Sequence, residues 1–254
     1  MKKLLIISIL TLPMLWLGSC SAPHDNPLDP ASPNYQEPAP PPGETPIPSF
    51  STTLRSVHTG RTTTDIYKVL AELWPDSALA IDSVTIQYNG LAARRMDLSS
   101  TTGRWGVALS SSFIGSDNLE SVLGQPFHFF IYTPSDSLWT VGPYYVFRVI
   151  QETPLTSDPD SNIVVGPFPT LTWPPFGASF PYKHITVVER KNEILQIIEE
   201  WRSDTLSSAA TQVQVSDSLE DDNDYHWILL VFDNYGNTSL SLETPFQVQA
   251  GVAP

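Results

Sequence analysis

From Phe50 onward, the apolar residues of this 254-residue chain come in short runs rich in Val, Ile, Thr, Tyr and Phe. They recur at roughly eight- to twelve-residue intervals between clusters of Gly, Asp, Asn and Ser, a rhythm that predicts short strands and tight turns rather than helices. A strand that alternates apolar and polar residues hides only one face, so such a chain must pack sheet against sheet. Tyr67, Val69, Ala71 and Leu73 alternate with Lys68, Leu70 and Glu72, and Val84, Ile86 and Tyr88 alternate up to Asn89-Gly90, a hairpin pair. Gly103-Arg104-Trp105 opens another strand, residues 127–132 form a long apolar one, and 144–150 is expected to be the last of this half. Trp74-Pro75-Asp76, residues 110–117 and Pro134-Ser135-Asp136 are expected as loops. An immunoglobulin-like β-sandwich is therefore expected over residues 50–151.

Residues 152–254 contain a second set of strands. Pro169-Thr170-Leu171-Thr172-Trp173 ends in a tryptophan. Leu219 is followed six residues later by Tyr225, which opens the apolar run 225–231, and Asp233-Asn234-Tyr235-Gly236-Asn237 makes a turn. Over residues 153–249 this pattern resembles the fibronectin type III domain. The resemblance implies a B strand ending at Trp173, a tyrosine corner in which the Tyr225 phenol bonds back to the chain, an F strand at 225–231 and a last strand with Leu240, Leu242, Phe246 and Val248 on one face. Ile194, Ile197, Ile198 and Trp201 fall at helical spacing. A helix so short and uncapped has little to hold it, so the C′ strand of the family pattern is expected there. The fold class is all-β: two tandem sandwiches of immunoglobulin-like and fibronectin type III-like kind.

The amino end is of another character. Met1-Lys2-Lys3 is cationic, and an apolar run reaches Leu17, too short for the roughly 20 residues of a spanning helix. Leu17-Gly18-Ser19 then precedes Cys20, and this quartet resembles the lipobox of bacterial lipoproteins. The resemblance implies that residues 1–19 are a cleaved signal and that Cys20 carries two or three acyl chains, a lasting membrane anchor. The other reading of Cys20 is a small buried residue near an ordinary cleavage site. Residues 20–49 form the tether, for the stretch 21–49 contains ten prolines and cannot build a core. Fixed φ angles favour polyproline II, which at ~3.1 Å per residue reaches on the order of 90 Å. Within it, Asn26-Pro27-Leu28-Asp29-Pro30 is similar to an element found after the lipidated cysteine in many lipoproteins, or is plain Asx-Pro turn chemistry.

The net charge is −14, and −16 once Lys2 and Lys3 leave with the signal. Such an acidic surface repels phosphate backbones, so no nucleic-acid partner is expected. With no cysteine beyond Cys20, each sandwich must stand on its core without disulfides.

Catalytic patterns are sparse. The sequence has no Gly-x-Ser-x-Gly, no Gly-Lys-Ser/Thr loop, and no Ser or Thr placed by spacing beside a histidine. Asp158-Pro159-Asp160-Ser161-Asn162 begins like a calcium loop, but Ile163 and Pro169 stand where the glycine and the bidentate glutamate belong. Asp217, Glu220, Asp221, Asp222 and Asp224 crowd one loop and are read as a solvated acidic turn rather than a calcium site. If Tyr225 and Ile185 point inward, His226 and His184 point outward on neighbouring strands, close enough for a shared transition metal or as two solvated histidines. Glu189, Glu199, Glu200 and Asp204 offer carboxylates without a defined separation. No catalytic residue, metal site or cofactor is therefore expected.

Alternation along 225–232 leaves Ile228, Leu230 and Phe232 on the outer face, a candidate partner surface unless neighbouring side chains cover it. The expected function is a non-enzymatic binding, adhesion or structural module, lipid-anchored in the bacterial outer membrane, with a protein or glycan partner at the envelope. The alternative is a glycan-binding accessory lipoprotein of a polysaccharide degradation or uptake system, with Trp74, Trp139 or Trp201 stacking on sugars. Aromatics along one exposed strip favour the alternative; aromatics buried singly in two cores favour the first.

Overall fold

The computed structural model describes residues 49–76, 79–161, 163–191 and 196–252. The expected signal segment (1–19), the Leu17-Gly18-Ser19-Cys20 quartet and the proline-rich stretch to residue 48 lie outside the described residues, as do Asn162 and Ile194. Residues 48–254 belong to one compact unit.

The first half contains β1 (Phe50–Thr59), β2 (Ile66–Pro75), β3 (Ser83–Tyr88), β4 (Arg94–Arg95), β5 (Asp97–Leu98), β6 (Trp105–Ser110), β7 (Phe127–Tyr132) and β8 (Leu138–Tyr144). β1, β2, β6 and β5 lie side by side in one sheet, and β4, β3, β7 and β8 in the other. Val69, Ala71 and Leu73 on β2 face Val84, Ile86 and Tyr88 on β3 and Phe127, Phe129 and Ile131 on β7 in a single core. The period-two pattern thus puts the expected residues inside. Asn89 and Gly90 both adopt positive φ, as the hairpin requires. Residues 111–114, expected as loop, form one helical turn, α1 (Ser111–Ile114), because the Ser110 hydroxyl accepts from the Phe113 N–H and Gly115 closes the turn in the left-handed region.

The strand expected over 144–150 is displaced. β8 spans Leu138–Tyr144, and the residues after it leave the sheet with only an isolated bridge from Val146 to Leu123. The alternation seen in the sequence is real: Val146 and Ile150 are buried while Tyr145 and Phe147 are exposed. It serves a connecting segment that packs between the halves, not a sheet edge.

The second half contains β9 (Ile163–Val165), β10 (Thr170–Thr172), β11 (Tyr182–Lys191), β12 (Ile197–Arg202), β13 (Leu206–Ser207), β14 (Gln212–Gln214), β15 (Asp224–Asp233), β16 (Thr238–Leu240) and β17 (Thr244–Val248). β15 lies between β11 and the pair β16 and β17, with β12 beyond β11, while β10 and β14 form the opposing sheet. C′, C, F and G against B and E is a fibronectin type III-like arrangement. Leu171, Trp173, Val188, Tyr225, Trp227, Leu229 and Phe246 fill its core. The tyrosine corner closes as expected: the Tyr225 hydroxyl accepts from the Glu220 N–H at 2.9 Å and donates to the Glu220 carbonyl at 3.3 Å. β12 is a strand, and Trp201 on it is buried with its Nε1 donating to Ser216 Oγ at 3.0 Å.

The last strand is broken. Leu240 ends β16 opposite Leu230 on the outer face, and Phe246 on β17 sits inside against Tyr225. Between them Ser241 satisfies Leu229 from both its hydroxyl and its N–H, and Leu242 turns outward. Leu240, Leu242 and Phe246 therefore do not share one face.

β1 joins the halves. It pairs antiparallel with β2 over its whole length and parallel with β16 from Val57↔Thr238 to Thr59↔Leu240, so one sheet runs through both sandwiches.

Candidate functional site

Ser56 and His58 are alternate residues of β1, and both are fully buried, facing the segment that connects the sandwiches. Buried polar groups need partners, and here each finds several. Ser56 donates from its N–H to Asn237 Oδ1 at 2.9 Å and from its hydroxyl to the Arg148 carbonyl at 2.9 Å. Asn237 is held in turn by Asp233, whose carboxylate accepts from the N–H groups of Tyr235 and Asn237, from Asn237 Nδ2 at 3.0 Å and from Arg148 Nη1 at 2.8 Å. The Asp233 side chain is wholly buried. The Arg148 guanidinium also lies 4.2 Å above the Phe180 ring and 5.7 Å from the Tyr235 ring.

That polar joint determines where three aromatic rings stand. With Arg148 drawn inward, its neighbour Phe147 points to solvent and is 67 % exposed; Tyr235, two residues after Asp233, is 59 % exposed; Tyr145 is 36 % exposed. Their rings form a row, 6.5 Å from Tyr145 to Phe147 and 5.4 Å from Phe147 to Tyr235. They line an open cleft of about 350 Å³ whose floor is Thr52, Thr53 and Leu54 of β1 and whose wall includes Pro143 and Tyr144. No carboxylate lines it. This is the largest exposed cluster of aromatic side chains among the described residues.

A second set of contacts lies beside it on β1. His58 Nδ1 is 3.1 Å from Ser239 Oγ and its Nε2 is 3.0 Å from Asp65 Oδ2, with the Tyr67 ring stacked on the imidazole at 4.2 Å. The fold thus brings a serine to a histidine and an aspartate, which no sequence spacing indicated. These are the groups of a hydrolytic triad, but Ser239 is fully buried and its hydroxyl donates to the Glu152 carbonyl at 2.7 Å. A nucleophile needs a free approach to a substrate carbonyl, so this set acts as a latch between β1, β16 and the connecting segment. The Arg61 backbone N–H, and then His58, hold the Asp65 carboxyl below its ordinary pKa, while burial raises the Tyr67 phenol.

The histidine pair does not form. His184 is fully buried, wedged between Trp173 and Tyr182, with Nδ1 on the Ser207 carbonyl, and burial lowers its pKa. Ile185, not His184, faces outward, opposite Leu230. His226 is opposite Glu189, five residues from His184 along β11, which at ~3.3 Å per residue separates them by roughly 16 Å and places them on opposite faces. Burial, then Lys191, lowers the pKa of His226.

The carboxylates are engaged individually. Arg202 grips Glu199 through two nitrogens at 2.9 and 2.6 Å, and Arg190 Nε donates to Glu200 at 2.8 Å. Burial, then Glu243 and Glu199, raises the pKa of Glu189. Asp160 accepts from the Ser161 N–H and Asp224 from Gln247. Among the described residues no group of three His, Cys, Asp or Glu side chains is placed to hold a metal ion.

Ile228, Leu230 and Phe232 lie on the outer face of β15 and are half-buried. Val187, Ile185 and Lys183 stand opposite them on β11, with Leu240 and Thr238 opposite Leu230 and Phe232 on β16. Of the named tryptophans, Trp201 is buried, Trp139 packs against the first core, and Trp74 lies under the Arg104 guanidinium at 4.4 Å. They share no strip.

No protein-family model and no curated protein matches the sequence. Among solved structures, the chain is similar to the fibronectin(III)-like modules of Clostridium thermocellum CbhA, at 10 % identity and a TM-score of 0.30 over 79 % of this chain and 94 % of that one. It is also similar to the FN1–FN3 domains of chicken CNTN1, at 12 % identity and a TM-score of 0.30, covering 80 % of this chain and 65 % of that one. At such scores neither likeness bears on function.

Proposed function

We propose that this chain is a non-enzymatic binding module of the bacterial cell envelope, anchored in the outer membrane by acyl chains on Cys20, with the Tyr145, Phe147 and Tyr235 cleft as its ligand-contacting surface. The observation that carries the reading is the row of exposed rings held by a buried carboxylate. Large apolar rings cost free energy in water and are seldom clustered on a surface that contacts nothing. The anchor rests on the resemblance of Leu17-Gly18-Ser19-Cys20 to a lipobox, since two or three acyl chains on Cys20 would hold the chain at a membrane.

Two measurements test it. Cys20→Ala should move the protein from the membrane fraction to the soluble fraction with both sandwiches folded; continued membrane attachment refutes the anchor. Phe147→Ala should abolish retention of envelope components on the immobilised protein, and retention unchanged from wild type refutes the cleft.

One observation favours a second reading, the glycan-binding accessory: three aromatic side chains stand side by side in one exposed strip, although none is a tryptophan. Glycan-array binding that disappears in Phe147→Ala would establish it.

A further inference from the structure

We infer that the outer face of the sheet shared by both sandwiches is a second docking surface, suited to an acidic polypeptide segment that also carries apolar side chains. It is independent of the aromatic cleft. Because β1 joins the sandwiches, the outer face can be followed in register from one to the other. One cross-strand row runs Ile185, Leu230, Leu240, Thr59 and Ile66. The next runs Lys183, Phe232, Thr238, Val57, Lys68 and Ser110, and a third, on the first sandwich, runs Arg55, Leu70 and Ala108. The other two sheets pack on the inner face, and among the described residues no further sheet lies on the outer one. The apolar residues of these rows belong to neither core, yet Val57 is only 7 % exposed, so neighbours on the face itself enclose it. A contiguous apolar surface that crosses both sandwiches marks a contact site.

Charge defines the partner. The three rows hold no carboxylate but carry Arg55, Lys68 and Lys183. Arg61, Arg104, Arg148, Arg190, Lys191 and Arg202 are each paired with a carboxylate, whereas Arg55, Lys68 and Lys183 have none among the described residues; away from this face only Arg94 and Arg95 are in the same position. On a chain of net charge −14, free cations gathered on an apolar face are complementary to an acidic ligand. Arg55 adds a second sign, because its Nε is buried without an acceptor, a cost that a ligand carboxylate would remove. It borders a hollow of about 310 Å³ with Leu70, Gly106 and Ala108. Glu72 and Asp97 also line the hollow, but neither ion-pairs with Arg55, and Glu72 accepts from Thr53 at 3.0 Å. An anionic bilayer would be repelled by the acidic chain as a whole, and Leu, Ile and Val offer nothing to the hydroxyls of a polysaccharide, so a polypeptide fits the face best. Lys183 and Lys68 stand on one row four strands apart, about 19 Å at ~4.8 Å per strand, a span that an extended dodecapeptide covers at ~3.3 Å per residue.

The test titrates the full-length chain with four probes: a dodecapeptide alternating Glu and Leu, its counterpart alternating Lys and Leu, dodecaglutamate, and phosphatidylglycerol vesicles. Methyl NMR signals of Ile185, Leu230 and Leu70 are the readout. The expected result is that the Glu-Leu peptide alone shifts these methyls, and that the double variant Lys68→Glu with Lys183→Glu weakens it by about tenfold and gains binding of the Lys-Leu peptide. Neither lysine has a partner within the fold, so the double variant stays folded, which an unchanged melting temperature checks. Phe147→Ala should leave Glu-Leu binding as it is, which separates this face from the cleft. Methyls unmoved by the Glu-Leu peptide overturn the inference. Equal shifts with the Lys-Leu peptide overturn it as well, since the face would then be adhesive without regard to charge. A response to dodecaglutamate alone, or to the vesicles alone, also overturns it, reassigning the face to bare charge or to a membrane.

Discussion

Asp233→Ala is the sharpest perturbation of the joint. The carboxylate is wholly buried and accepts four hydrogen bonds, from Arg148, the Tyr235 N–H, the Asn237 N–H and Asn237 Nδ2. Truncation leaves the two Asn237 donors buried without acceptors, at about 1–3 kcal/mol each, whereas Arg148 is partly exposed and turns to water at smaller cost. Removing a buried charge returns some desolvation free energy, so the net loss comes to about 3 kcal/mol, the low end for breaking a buried pair. With a urea m-value of about 2–3 kcal/mol/M for a domain of this size, the unfolding midpoint should fall by roughly 1 M. Asp233→Asn keeps the shape but aims an amide NH₂ at one pair of donors, so it should fall between wild type and Asp233→Ala. Arg148→Met should cost less than Asp233→Ala, because three N–H donors still surround the carboxylate. A midpoint shift in Asp233→Ala corresponding to less than about 1 kcal/mol would refute the account of the joint.

Tyr225→Phe removes the two hydrogen bonds of the tyrosine corner and should lower stability by about 1–2 kcal/mol, read as a fall in melting temperature, with Leu219 still packed beneath. Asp65→Asn tests the latch through pH. The native Asp65 pKa is depressed by the Arg61 N–H and by His58, so its contribution is present above the unfolded carboxylate pKa of about 3.9 and is lost as pH falls through the native value. Wild type should therefore exceed Asp65→Asn in urea stability at pH 7, and the gap should close below about pH 4; a gap independent of pH contradicts the assignment.

Strands were legible where one face is apolar and the other polar. β2 and β3 alternate, the continuous apolar run 127–132 marked β7, and Leu219 with Tyr225 marked the corner of the second sandwich. β1 was not, because Thr52, Thr53, Ser56 and His58 are polar and the burial of Ser56 and His58 comes from β16 and the connecting segment, far away in sequence. The same cause misplaced the strand at 144–150, whose alternation answers to two surroundings at once: Val146 turns inward while Arg148 reaches Asp233. His184 misled for a related reason. Parity counted from Ile185 assumed that the apolar residue of the pair faces the core, but Ile185 lies on the outer face of β11 and the imidazole fills a space between Trp173 and Tyr182.

The cleft was illegible because its residues come from 52–54, 143–147 and 235, three segments that neither period nor motif connects. Their union has a physical cost that explains the polar joint. Each sandwich has its own hydrophobic core, and apolar contact alone tolerates sliding because it is not directional. Hydrogen bonds from Ser56 to Asn237, from Arg148 to Asp233 and from Ser239 to Glu152 are directional and wholly or partly buried, so a shift of an ångström would leave buried donors of Ser56 and Asn237 orphaned. Phe147 belongs to the connecting segment and Tyr235 to the second sandwich, yet their rings must keep a 5.4 Å spacing above the Thr52–Leu54 floor of the first. A surface built from two sandwiches holds its shape only if the joint has one geometry. In this chain, the buried polar contacts around Ser56, His58 and Asp233 impose that geometry.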